Sequence, residues 1–125
     1  MPTEEELINW GTEIGALAAS RRTAKDQLEK LIASLESVSD PRLALLVTAA
    51  YAIRQSRREK APLTQDVAQL IASILHRLYE ANGTKTEARK VLGFAKWVRE
   101  ASDIPALHGK QVKTLKDFVG LVAGR

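Results

Sequence analysis

Residues 39–62 read SDPRLALLVTAAYAIRQSRREKAP. Asp40 stands at an N-cap position, where a carboxylate accepts the unpaired amide protons of a first turn. Pro41 follows at the first helical position, where a missing N–H costs nothing. From Leu43 to Ile53 only Thr48 is clearly polar. A helix of that pattern has no solvent face, so the stretch is read as a central helix surrounded on most sides. Beyond Ile53 the character reverses to Arg54, Arg57 and Arg58, spaced three and four apart and therefore on one side, and Pro62 ends the element.

The flanking sequence supplies helices to surround it. Thr3 and Glu6 form a capping box that starts a helix at about Glu4. Leu7, Trp10, Ile14 and Leu17 alternate at spacings of three and four, and Leu28, Leu31, Leu35 and Val38 continue the register. Arg21 interrupts it, so a break is expected in SRRTAKD, residues 20–26, with Thr23 and Asp26 available to cap a second helix. Gly11 and Gly15 lie beside the first seam and predict a closely packed neighbouring helix. Thr64 opens the next element, whose stripe is Val67, Leu70, Ile71, Ile74, Leu75 and Leu78, and Asn82 with Gly83 supplies a left-handed stop. Thr84 and Glu87 form a second capping box for a helix to about Ala101. The segment SDIPALHG, residues 102–109, is turn-rich, and a last helix places Val112, Leu115, Phe118, Val119 and Val122 on one face. The expected fold is all-α, a single domain over residues 1–125 built as a bundle of five to six helices.

Composition agrees. The 125 residues are 45% hydrophobic but only 5% aromatic, so the core is aliphatic and favours helices over sheet. With no cysteine there is no disulfide framework and no thiolate metal site. The acidic start MPTEEELINW does not read as a signal peptide, and no apolar run is long enough to span a bilayer, so a soluble, cytoplasmic protein without membrane contact is expected. The net charge of +4 is unevenly spread. Residues 1–40 hold eight acids and four bases, residues 41–125 seven acids and fifteen bases. A polyanionic partner is expected to meet the later part of the chain.

The sharpest candidate site lies in RKVLGFAKWVR, residues 89–99. At 100° per residue Val91, Phe94, Ala95 and Val98 point one way, while Arg89, Lys96 and, at the edge, Arg99 point the other, with Gly93 between them. Lys90 adds a fourth cation. A mid-helix glycine costs about 1 kcal/mol relative to alanine. Its presence reads either as room for close approach of a sugar-phosphate backbone or another helix, or as packing within the bundle. Trp97 lies at the border of the two faces. Arg54, Arg57 and Arg58, continued by Lys60, exceed what helix-dipole complementarity asks for and form a second anion candidate. Arg21, Arg22 and Lys25, and the stripe Lys110, Lys113 and Lys116, are smaller clusters. His76 is placed one turn from Glu80, and His108 sits in a turn. No metal-ligand spacing, phosphate loop or nucleophile elbow is present, so the chain is read as non-enzymatic, without catalytic residues, metal or cofactor.

The order of elements, the size, and the stretches AAYAIRQSRREK, residues 49–60, and TEARKVLGFAKWVREA, residues 86–101, resemble the small helical subunit of multisubunit CRISPR interference complexes over about half the chain. That resemblance implies a non-catalytic bundle that stacks beside copies of itself in a ribonucleoprotein. Its basic face would follow the guide-target duplex or the displaced strand, RNA or DNA. The residues matching the basic-face pattern are Arg54, Arg57, Arg58, Arg89, Lys90, Lys96 and Arg99. Cations without a base-reading asparagine suit backbone contact better than sequence readout. Two alternatives stand beside it. One is a helix-turn-helix regulator using the helices on either side of ANGT, residues 81–84, with Lys85, Thr86, Arg89 and Lys90 at the DNA; the other is a protein-protein interaction module.

Overall fold

A computed structural model describes residues 1–102 and 111–123. Among them are six helices and no strand: α1 (Glu4–Ser20), α2 (Lys25–Ser37), α3 (Leu43–Arg57), α4 (Gln65–Glu80), α5 (Lys85–Ala101) and α6 (Leu115–Ala123). His108, Lys110 and all of the turn-rich segment after residue 102 lie outside the described residues.

The starts and stops follow local chemistry. Both expected capping boxes form: Thr3 N–H donates to Glu6 Oε1 at 3.0 Å, and Thr84 N–H to Glu87 Oε1 at 2.7 Å. Asp40 acts as the cap of α3, its Oδ1 accepting the amide protons of Arg42 and Leu43 at 2.9 Å each. These two bonds hold its carboxyl below the usual range. The break between α1 and α2 is real. Arg22 takes a left-handed turn at φ 57°, and Asn82 at φ 63° does the same after α4, where Gly83 N–H closes on the Leu78 carbonyl at 2.7 Å. The expected caps at Thr23 and Thr64 do not form. Ala24 and Thr64 flank their helices without a side-chain cap bond; Thr23 is buried, and Thr64 Oγ1 donates to Asp66 instead.

Contacts between helices close a ring in the order α1, α5, α2, α3, α4 and back to α1. Gly11 lies under Val91 and Phe94, and Gly15 under Ala95 and Val98, so α1 and α5 run parallel with backbones in close approach. Consecutive helices run antiparallel: Gln55 Nε2 donates to Gln27 Oε1 at 3.1 Å near the end of α3 and the start of α2, and Arg42 near the start of α3 reaches the Tyr79 carbonyl at 2.7 Å near the end of α4. The ring encloses one aliphatic core fed by all five helices, including Ile14, Leu28, Leu35, Leu45, Ile71, Leu75 and Leu92. The α6 helix rests on the outside of α1, where Phe118 joins Ala16, Val98 and Val112 in a smaller cluster. Val119, expected on the apolar face of α6, is instead 48% exposed.

The expectation for α3 needs correction. It is a member of the ring rather than its centre. Ala44, Leu45, Thr48 and Ala52 are buried, but Leu43 is 49% and Val47 44% exposed, and Ala50 is exposed as well. The helix has a solvent face, and that face is apolar.

Candidate nucleic-acid interface

The antiparallel ring gathers the ends of α1, α3 and α5 and the starts of α2 and α4 at one end of the bundle. This end carries Arg22, Lys25, Arg54, Arg57, Arg58 and Lys60, opposed by Asp26, Glu59, Asp66 and Glu100. The other end holds Glu4, Glu5, Glu6, Glu36, Asp40, Glu80 and Glu87, opposed by Arg42, Arg77, Lys85, Arg89 and Lys90. Charge therefore separates along the bundle axis, which the split between the first forty residues and the rest shows only indirectly.

At the basic end, Gln55 is the organising residue. It is buried, and its Nε2–H bond to Gln27 fixes its amide so that Oε1 faces two guanidiniums: Arg58 Nη1 donates at 3.2 Å and Arg54 Nη1 at 3.4 Å. Arg54 and Arg58 are thus held by a neutral acceptor, and among the described residues no carboxylate compensates their charge. Arg57, one turn beyond Arg54, is exposed and has no carboxylate partner among the described residues, and neither have Arg22 and Lys60, both in left-handed turns at φ 57° and φ 55°. Arg21, by contrast, is paired with Asp66 at 2.7 Å. Burial works to raise the Asp66 carboxyl, but bonds from Thr64 and Arg21 outweigh it and hold it low.

The α5 cations are arranged differently. Arg89 binds Glu36 at 2.8 Å through Nη2 and 2.9 Å through Nε, and Lys96 meets Glu29 at 3.2 Å, both on α2; Lys90 meets Glu4 on α1 at 2.8 Å. Lys90 holds the Glu4 carboxyl below its ordinary range. The three pairs tie α5 to the helices on both sides. Arg99 is buried, its Nε–H donated to the Thr23 carbonyl at 2.8 Å. The seven cations singled out from sequence therefore fall into three settings: Arg54, Arg57 and Arg58 at the basic end without a carboxylate partner among the described residues, Arg89, Lys90 and Lys96 on an outer face lined with carboxylates, and Arg99 inside.

Gly93 faces open space, with nothing within 4 Å of an added β-carbon. It belongs to a shallow groove of about 380 Å³ lined by Thr86, Arg89, Lys90, Gly93 and Phe94. Packing inside the bundle is excluded as its reason. Trp97 is 63% exposed, its ring edge-on to Phe94 at 5.6 Å.

His76 Nε2 and Glu80 stand 3.2 Å apart on the outside of α4, as their spacing predicts. Among the described residues no three His, Cys, Asp or Glu side chains cluster to hold a metal, and no helix is long and apolar enough to cross a membrane. Comparison with family models, with curated proteins and with solved structures finds no match to this chain.

Proposed function

We propose that the protein is a non-catalytic helical module that grips the sugar-phosphate backbone of nucleic acid, RNA or DNA, with the basic end of its bundle. The observation that carries this reading is the Gln55 cradle: two guanidiniums held in place by a buried neutral amide, with Arg57 beside them and no carboxylate answering any of the three among the described residues. Uncompensated cations spread over a turn and a helix end fit an extended polyanion, whose binding is driven by counterion release and is indifferent to sequence. The α5 cations, engaged with Glu4, Glu29 and Glu36, contribute less, and this also weakens the helix-turn-helix alternative, which needs Arg89 and Lys90 at the bases. In this reading the chain works in the cytoplasm as a small subunit of a ribonucleoprotein, the role implied by its resemblance to CRISPR interference subunits, and its remaining surface meets other subunits.

The test is fluorescence anisotropy with scrambled single strands and duplexes at low salt. Wild type binds both, with a log-log salt slope that loses about 0.9 for each phosphate contact removed. Arg54→Glu with Arg58→Glu removes binding while the helical circular-dichroism signal is kept. A wild-type protein that leaves every probe unbound at low salt overturns the proposal.

A further inference from the structure

The strongest unexplained feature is the outward face of α3. Between Leu43 and Ile53 the helix carries no charge, yet the fold covers only part of it, leaving Leu43, Val47 and Ala50 in water. Isolated exposed aliphatics are ordinary; a row of them along one face of an uncharged stretch of helix is not. Positions 43, 47, 50, 54 and 57 of α3 follow one another at intervals of three and four, the spacing of a seam between two packed helices, and Asp40 stands just before the helix at the N-terminal end of that row. Read along that seam, the residues are Asp40, Leu43, Val47, Ala50, Arg54 and Arg57. The acid stands at one end, the bases at the other, and the small and large aliphatics lie between.

This sequence is complementary to its own reverse. When a second α3 is laid antiparallel about a two-fold axis between residues 48 and 49, Val47 meets Ala50 of the copy, a large residue against a small one. Leu43 meets the aliphatic stem of Arg54, and Asp40 meets Arg57. All three contacts occur twice. Asp40 spends Oδ1 on the cap of α3, and its Oδ2 accepts no hydrogen bond among the described residues, its charge being felt only at a distance by Arg42; nor has the Arg57 guanidinium a carboxylate among them. We infer that the α3 face is a self-association surface on which two copies of this chain pair antiparallel through Leu43, Val47 and Ala50, with Asp40 and Arg57 closing each end. The pair is isologous and closed, so this face makes dimers and does not propagate. A single helix seam is at the small end of protein interfaces, and the association is therefore weak and concentration-dependent. Arg54 and Arg57 belong to both surfaces, so pairing would draw them away from a polyanion; Val47→Asp and the paired thiols at 47 and 50 alter none of these cations, and they therefore test the pairing separately from polyanion binding.

The chain has no cysteine, which makes introduced thiols unique reporters. A tagged Val47→Cys protein is mixed with untagged Ala50→Cys under mild oxidation. The mixed 47–50 disulfide should accumulate faster than either like-with-like product and far faster than a Ser73→Cys control on the exposed side of α4. In parallel, sedimentation from micromolar to millimolar concentration should show a rising mass for wild type that is lost in Val47→Asp, with unchanged circular dichroism. A wild type that stays monomeric throughout, a rising mass that survives Val47→Asp, or mixed crosslinks no faster than the Ser73→Cys control each overturn the inference.

Discussion

The Nε–H of Arg99 points into the main-chain carbonyl of Thr23 at 2.8 Å, from a residue only 8% exposed. One guanidinium thus joins the last turn of α5 to the connection between α1 and α2, where Arg22 has already bent the chain. A buried charge satisfied this way is structural, because removing it strands the carbonyl it serves. Arg99→Ala is expected to lower stability by about 1–3 kcal/mol, read by urea denaturation. Its effect on nucleic-acid affinity under conditions where it remains folded should be small.

The glycines of α1 and α5 should respond in opposite directions. A β-carbon at Gly11 would sit 2.5 Å from the Val91 carbonyl oxygen, and one at Gly15 2.5 Å from that of Ala95. Both obstacles are backbone and cannot swing aside, so either alanine substitution forces α1 and α5 apart and costs about 1–3 kcal/mol. Gly93→Ala meets nothing and gains about 1 kcal/mol of helix propensity, a rise in Tm of about 3–5 °C. Thermal melts of the three variants compare them directly.

The two groups of surface cations should also separate in binding. Exposed ion pairs are worth about 0–1 kcal/mol, so Arg89→Ala with Lys96→Ala loosens the α2–α5 contact only slightly. It removes cations that already have carboxylates, and affinity for a single strand should fall by less than about threefold, with little change in salt slope. Arg54→Ala, Arg57→Ala and Arg58→Ala together should flatten the slope by about 2 to 3, near 0.9 per contact. Anisotropy titrations at several salt concentrations decide between them.

Much of this fold was legible because its signals are local. Capping boxes at Thr3 and Thr84, the cap at Asp40 and the left-handed residue at Asn82 act within one turn, and the structure places the helices where they say. The position of α3 was not legible. Periodicity reports how apolar a helix is, not whether its cover comes from its own chain, and Leu43 and Val47 are left exposed by a ring that closes without covering them. The site fared similarly. Spacing groups Arg89, Lys96 and Arg99 on one side of α5, but which carboxylates stand opposite depends on α5 inserting between α1 and α2, a tertiary fact that brings Glu4, Glu29 and Glu36 alongside. Gly93 was legible as an anomaly, and the open space around it is the tertiary fact that removes packing as its cause.

Acid should unfold the protein through three carboxylates of different setting. Glu4 is held low by Lys90, Asp40 by the amide protons of Leu43 and Arg42, and Asp66 by Thr64 and Arg21 against the opposing effect of burial. Because each folded-state pKa lies below its ordinary value, the stabilisation is fully present above about pH 4–5 and is lost as pH falls through the folded values. Urea midpoints should therefore be flat from pH 7 to about pH 5 and decline below that. Salt distinguishes the contributions. Added salt screens the exposed Lys90–Glu4 pair and shrinks its share, while the hydrogen bonds to Asp40 are short-range and persist. Asp40→Asn retains a capping side chain but cannot titrate, so its urea midpoints should decline less steeply below pH 5 than those of wild type. An Asp40→Asn profile parallel to wild type would show that the α3 cap gains nothing from the negative charge.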